Sequence, residues 1–355
     1  MAMWGAGIMV GPIIGPTLGG WLTESYNWRW VFLINLPVGA LAFLGCAAYL
    51  PRAPRRHRVF DLFGFAMLAM AIGALQLTLD RGAEVDWFSS GEIWIYAVLC
   101  LTGAWVFVVH ILHAEKPFLE PGMFADRNFA TGLVFIFVIG IILLASLALL
   151  PPMLSRLMGY PVITTGLVMA PRGVGTMISM LIVGRLVRAV DPRKLVVLGL
   201  ALTALSLWEM SGFTPQMDMI PVIRSGVVQG LGLGLVFVPL STVAFATIDT
   251  RYRADATALF SLVRNIGSSV GISLVTVLLT HNIQVNHAEL SALISPFNPV
   301  LRQASPLAAA GQVAALQQMD LLVNAQAAMI GYVDDFVLMM WVTLLAMPLA
   351  LMLRR

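Results

Sequence analysis

The chain holds 355 residues, 59% of them hydrophobic, and its 21 basic and 18 acidic side chains make up only 11% of the sequence, against about 25% in ordinary soluble domains. A folded surface facing water needs far more charge, so most of the exterior faces lipid; a soluble globule, a disordered chain and a collagen-like repeat are excluded. Cys46 and Cys100 both lie in apolar runs and read as packing residues, which excludes a disulfide scaffold, and a net charge of +3 leaves no nucleic-acid footprint.

In chain order, apolar stretches long enough to cross a bilayer run over residues 1–22, 30–50, 62–79, 93–112, 129–150, 162–186, 195–213, 220–242, 256–280 and 336–353. Each reads as a helix, because a helix satisfies its own backbone polar groups in hydrocarbon whereas an open strand leaves them unpaired. The sequence therefore predicts an all-α membrane protein of about ten transmembrane helices. The first stretch opens without charge and carries a Gly/Pro pattern, unlike a secretory signal.

Lys and Arg in the connections set the orientation. Fourteen fall on one side, at Arg52, Arg55, Arg56, Arg58, Lys116, Arg127, Arg185, Arg188, Arg193, Lys194, Arg251, Arg253, Arg354 and Arg355; four fall on the other, at Arg29, Arg81, Arg156 and Arg302. The richer side is expected to be cytoplasmic, with both chain ends there, and the 52–58 cluster then reads as an inside-positive loop before it reads as a lipid or nucleic-acid patch. Residues 281–335 form one long polar connection expected outside the membrane. Within it, 308–326 carries an apolar stripe of Leu316, Met319, Leu322 and Val323, which suits either a helix docked on the bundle mouth or a partner, or a loosely held loop helix.

In the first span Gly7, Gly11, Gly15 and Gly19 recur every fourth residue, with Gly20 beside them. They form a side-chain-free ridge along which another backbone can approach, and such contact drives helix association in lipid. Pro12 and Pro16 each follow a glycine and remove intrahelical hydrogen bonds, so the helix is bendable there.

The run Gly11-Pro12-Ile13-Ile14-Gly15-Pro16-Thr17-Leu18-Gly19-Gly20-Trp21-Leu22, followed by Trp28-Arg29-Trp30-Val31-Phe32-Leu33-Ile34-Asn35-Leu36-Pro37-Val38-Gly39, resembles the antiporter motif and following loop of major facilitator drug exporters. In particular it resembles the fourteen-span drug/proton antiporter group, the EmrB/QacA-like proteins. The resemblance implies a major facilitator fold in which four spans precede this motif, so the chain reads as amino-terminally truncated. It implies three divisions: 1–60 as the last two spans of an N-terminal bundle, 61–127 as an extra two-helix pair opening at Asp61 and Gly64 with a cytoplasmic linker, and 128–355 as a six-span C-terminal bundle. Gly184-Arg185-Leu186, followed by Arg188, Asp191, Arg193 and Lys194, resembles a degenerate second copy of the family's cytoplasmic loop motif. The resemblance implies a gating loop at Gly184, Arg185, Asp191 and Arg193; an inside-positive turn is the alternative.

An Arg at the bilayer centre costs about 2.5–3.5 kcal/mol on insertion scales, so each asks for a partner or a water-filled cavity. At about 1.5 Å per residue, Arg172 lies roughly 15 Å below the outer face, Arg264 roughly 14 Å above the inner one, and Glu209 and Arg224 each within roughly 10 Å of the outer surface. Glu209 and Arg224 are candidates for an outer ion pair that breaks on opening, with Glu209 the best proton-carrying acid; a purely structural pair or snorkelling explains them equally. Arg172 in Ala170-Pro171-Arg172-Gly173, and Arg264-Asn265 ahead of Gly267 and Gly271, resemble cavity-facing positions of the group. That implies a positive interior suited to anionic or weakly acidic amphiphiles, with helix-to-helix hydrogen bonding as the alternative.

Gly226, Gly230 and Gly234 make a second groove, read as packing, and Pro239 is a candidate kink in that span, while Trp28 and Trp30 read as interfacial anchors. The 20 methionines and 18 phenylalanines can line a polyspecific pocket, though packing and lipid contact explain most of them. His110, His113 and Glu115 lack further ligands, so neither a metal nor a cofactor is expected. By resemblance the chain is a multidrug efflux permease of the bacterial cytoplasmic (inner) membrane, exchanging amphiphilic small molecules for protons by alternating access. The resemblance to Gram-negative members adds a periplasmic adaptor and an outer-membrane channel as partners. The competing readings are a non-transporting membrane remnant and a membrane enzyme; no P-loop, HExxH or nucleophile elbow favours the latter.

Overall fold

The computed structural model describes residues 2–49, 60–82, 84–115, 117–187, 189–295, 297–305 and 312–352. The basic 52–58 cluster, Lys116, Arg188, Arg354 and Arg355 lie outside the described residues. Among the described residues the regular structure is helical: α1 (Ala2–Ser25), α2 (Trp30–Leu33), α3 (Asn35–Tyr49), α4 (Leu62–Gly82), α5 (Gly91–His113), α6 (Arg127–Pro152), α7 (Val162–Leu186), α8 (Pro192–Met210), α9 (Met219–Ala244), α10 (Arg253–Ala292), α11 (Pro299–Ala304) and α12 (Val313–Ala346).

In their described residues the ten expected spans are largely helical, the second as α2 and α3 in succession. Among the described residues, eight stretches are long and apolar enough to cross a membrane. α1 and α8 are the other two expected spans: α8 has only 19 residues and carries Arg193, Lys194 and Glu209 near its ends, while α1 carries no charged residue before Glu24. Large apolar side chains such as Leu101 (71% exposed), Trp105 (71%) and Leu345 (73%) point outward, as a lipid-facing surface requires. This is a multi-pass membrane protein.

Residues 281–335 depart from the expected polar connection. α10 continues unbroken to Ala292, and the expected 308–326 helix is, in its described part, the opening of α12. Neither glycine nor proline interrupts the chain between Gly271 and Pro296, so helical hydrogen bonding outlasts the apolar pattern. At about 1.5 Å per residue the 40-residue α10 is roughly 60 Å long, twice a hydrocarbon core of roughly 30 Å, so it projects out of the bilayer. Beyond the apolar run it is tied to α12 by His287 and Asp320, 3.4 Å apart.

α6 packs on α10, α10 on α12, α12 on α8, α8 on α9 and α9 on α6, closing a ring, with α7 laid on α9. Its interior has two apolar layers, one around Phe129, Ile136 and Phe260, the other around Met153, Leu207 and Phe336. Backbones touch where side chains are missing: a methyl added at Gly267 or Gly271 would meet the backbone of Phe137 or Ile141. The α4–α5 pair closes in the same way, Gly103 lying against the backbone of Ala71 and Met67. This pair meets the ring at α10, where Ser273 Oγ donates to the Leu79 carbonyl at 2.9 Å. α1 lies along α7, and α3 has no buried residue.

Candidate functional site

Two helices of the ring, α6 and α9, and α7 beside them converge on one buried hydroxyl. Ser146 on α6 accepts from the Arg172 guanidinium of α7 at 3.0 Å and from the Gln229 amide of α9 at 3.3 Å, and donates to the Ile142 carbonyl at 3.1 Å. Arg172 is 7% exposed and Gln229 fully buried. α7 and α9 come this close because Gly226, Gly230 and Gly234 face α7: a methyl at Gly230 would strike the Arg172 carbonyl, and one at Gly234 would sit 2.6 Å from Ser179 Cβ. Ser179 Oγ then donates across the seam to the Leu231 carbonyl at 2.7 Å. The 226/230/234 groove is thus a packing surface. Arg172 bonds across helices here: a charge-assisted hydrogen bond to Ser146 helps offset the desolvation of the guanidinium.

Arg264 does not join that cluster. It is half-buried on α10, with its guanidinium 5.8 Å from the Phe237 ring centroid of α9, within cation–π range. Its backbone packs against Gly140 of α6, and Asn265 beside it is exposed. The arginines therefore meet different turns of α6, one at Ser146 and the other at Gly140.

α1 seats on α7 through a face other than the expected glycine ridge. Thr17 Oγ1 donates to the Gly166 carbonyl at 3.3 Å, Glu24 Oε1 accepts from the Ile163 N–H at 3.1 Å, and a methyl at Gly20 would lie 3.0 Å from the Val162 carbonyl oxygen. Methyls at Gly11, Gly15 and Gly19 would meet nothing within 4 Å. Fastening of α1 through that ridge is accordingly corrected: of the motif glycines described, Gly20 makes the close approach. The i, i+3, i+7 spacing of Thr17, Gly20 and Glu24 places them on one face, and it is the face with the polar groups that docks. Pro161, which precedes α7, supplies no side-chain cap, so Glu24 satisfies an N–H of the first turn of α7 from the neighbouring helix. α1 continues as helix through Pro12 and Pro16.

At one end of the ring Glu209 of α8 and Arg224 of α9 come together, Oε1 to Nη2, at 3.3 Å. Arg224 is 67% exposed and Glu209 only 17%, so the pair sits at a rim with its acid turned inward. The second carboxylate oxygen, Oε2, is buried without a hydrogen-bond partner among the described residues.

The sequence profile of the Major Facilitator Superfamily matches residues 1–272. The chain belongs to the Major Facilitator Superfamily. It is 33% identical over 302 residues to the multidrug export protein EmrB of Escherichia coli strain K12, an alignment covering 84% of this chain and 59% of that relative. It is 30% identical over 310 residues to the fatty acid resistance protein FarB of Neisseria gonorrhoeae, covering 85% and 60%. It is also 29% identical over 282 residues to the colistin resistance protein EmrB of Acinetobacter baumannii, covering 78% and 54%. The chain thus spans 54–60% of the length of these relatives.

In this major facilitator protein the candidate loop motif lies at the end of α7 and the start of α8. Asp191 caps α8, its Oδ1 accepting from the Arg193 N–H at 3.0 Å, while Gly184 is half-buried and Arg185 exposed. Asp61 organises the start of the α4–α5 pair. Its carboxylate accepts from the Gly64 N–H at 2.8 Å and the Phe118 N–H at 3.0 Å, and His110 Nε2 lies 3.0 Å from both oxygens. The Gly64 N–H above all, helped by the Phe118 N–H and His110, holds the Asp61 carboxyl below its ordinary value, against a smaller opposing effect of burial. His110 is thereby committed to Asp61, and His113 Nδ1 lies 2.9 Å from the Val109 carbonyl.

Sequence reasoning searched the spans for charge and so passed over Ser146 and Gln229, uncharged polar residues near the middle of apolar runs. It also missed Asp335, which it assigned to the outer connection. Asp335 is 1% exposed on α12, with neither oxygen hydrogen-bonded among the described residues. The signal was its register with Tyr332, Phe336 and Met339, a helical i, i+3, i+4 pattern of large side chains.

Proposed function

We propose that the protein works in multidrug efflux, exporting amphiphilic small molecules across the bacterial cytoplasmic membrane in exchange for protons. The observation that carries this reading is similarity over 84% of the chain to a protein named for multidrug export. The Ser146–Arg172–Gln229 cluster makes α6, α7 and α9 a unit that can move as one body, and the α1–α7 seam, with polar contacts at Thr17 and Glu24, is the surface on which it rocks in alternating access. Arg264 and Asn265 line the inner half of the path, where a positive charge favours anionic or weakly acidic amphiphiles; the resistance to fatty acids in the name of one relative fits that preference. Glu209 carries a proton, and its pair with Arg224 opens and closes with the outer end. The Gly11–Pro12, Gly15–Pro16 and Gly19–Gly20 motif bends α1, and the loop of Gly184, Arg185, Asp191 and Arg193 gates the inner end. Both chain ends lie in the cytoplasm, and a periplasmic adaptor and outer-membrane channel complete the export route in a Gram-negative cell.

Flux of dyes and weak acids in proteoliposomes under an imposed pH gradient tests this. Wild-type protein is expected to move weakly acidic amphiphiles faster than purely cationic ones, with proton movement in the opposite direction. In Glu209→Gln, substrate-driven proton movement is expected to be lost. Undiminished coupling removes Glu209 from the mechanism, and absence of any gradient-driven flux in the wild type removes the efflux reading.

A further inference from the structure

We infer that Asp335 is a proton-binding site of the helix ring, holding a neutral acid in the conformation described. The inference deepens the proposed proton exchange and rests on that reading for its consequence in transport.

Asp335 shares the buried face of α12 with Tyr332, Phe336 and Met339, and this face packs into the apolar layer formed with Met153, Leu207 and Phe213; the rings of Phe213 and Phe336 are 6.1 Å apart. Neither carboxyl oxygen has a hydrogen-bond partner among the described residues. An ionised carboxylate in such surroundings carries an effective desolvation penalty of several kcal/mol with nothing to offset it, whereas a neutral acid avoids most of it. The charged and titratable groups of the packed elements give no relief. Asp334, its exposed chain neighbour, is of like charge. Glu209 on α8 is committed to Arg224, and His287 on α10 to Asp320. Arg264, His281 and Glu289 on α10, and Arg156 in the π-helical turn Met153–Leu157, do not hydrogen-bond to it. Arg127 on α6, Arg193 and Lys194 on α8, and Arg253 and Asp255 on α10 sit at the opposite ends of their helices.

Tyr332, one turn before Asp335 on α12, interacts electrostatically with both Asp335 and the exposed Arg156. Arg156 belongs to a wide turn directly after Pro151 and Pro152, where α6 gives up its regular hydrogen bonding. Movement of that turn hydrates the carboxyl and lets it exchange a proton with the medium; its return dehydrates the carboxyl and restores the neutral acid. Loading and unloading of Asp335 is in this way tied to the opening of one end of the ring.

Infrared difference spectroscopy on the full chain in lipid nanodiscs reads this directly through the C=O stretch of neutral carboxylic acids. Wild type is expected to keep such a band well above about pH 4, where exposed aspartates have ionised. Asp335→Asn should lose it, Asp334→Asn should keep it, and Asp335→Glu should restore it at a shifted frequency in a variant of unchanged elution profile. A wild type without the band, or an Asp335→Asn spectrum with the band undiminished, overturns the inference. Proton movement in proteoliposomes separates it from the efflux reading: a band that depends on Asp335 in a protein moving no protons with substrate keeps the site and refutes the antiport.

Discussion

On α9, Gly226, Gly230 and Gly234 lie against Arg172 and Ser179 of α7 so closely that methyls at the last two would collide with that helix; on α1, Gly11, Gly15 and Gly19, at the same four-residue spacing, face nothing within 4 Å. The two series differ in the polar groups that accompany them. α7 offers α9 the Arg172 guanidinium, which reaches Gln229 through Ser146, and the Ser179 hydroxyl for the Leu231 carbonyl. α1 carries its hydrogen-bonding side chains, Thr17 and Glu24, on a neighbouring face, and that face docks with only Gly20 in the seam. In lipid, where apolar burial gives little drive between helices, a bare ridge permits approach, and hydrogen bonds select which face uses it.

The largest effect that would sharpen this contrast is at Gly230. Gly230→Leu forces α7 and α9 apart and is expected to cost about 3 kcal/mol or more, the upper range for overpacking, seen as a large drop in thermal stability of the detergent-solubilised chain. Gly15→Leu in α1 should leave the same melting curve almost unmoved; equal losses from the two would break the comparison. A smaller effect is expected within α1 itself. Gly20→Val should strain the contact with the Val162 carbonyl by about 1–2 kcal/mol, lowering the yield of a disulfide cross-link between cysteines introduced at positions 17 and 166, whereas Gly19→Val should not.

The smallest effect concerns Asp61, whose hydrogen bonds hold its folded-state ionisation below the ordinary value of 3.8. A depressed carboxyl contributes stability that is fully present above its unfolded value and is lost as pH falls through the folded one. Thermal stability followed downward from about pH 5 should therefore decline less steeply in Asp61→Asn than in wild type. Gly64→Ala, whose methyl would press on the Asp61 carboxylate and approach His110, should flatten the acid limb in the same direction. Identical acid limbs in all three proteins would show that this cap contributes nothing at the edge of the α4–α5 pair.

Much of the architecture could be read from residue order. The described residues of all ten apolar stretches are largely helical, and Glu209 and Arg224, placed at similar depth on successive spans, do meet at 3.3 Å. The polar segment after Thr280 could not be read by the same rule, because helix formation there follows backbone propensity and the lack of breakers, not apolarity. The same shortfall hid Asp335, whose burial depends on where α12 begins and which way it is turned.

What the amino-acid sequence determined by itself is therefore a chain of lipid-crossing helices: a bilayer leaves an apolar run of that length no other way to satisfy its backbone. Which face of α1 lies on α7, why Arg172 bonds to a serine inside the ring, and which acid loses its water were decided only by the tertiary structure. Each depends on the rotation of one helix about its axis relative to another far away in sequence, a quantity that local hydropathy does not contain.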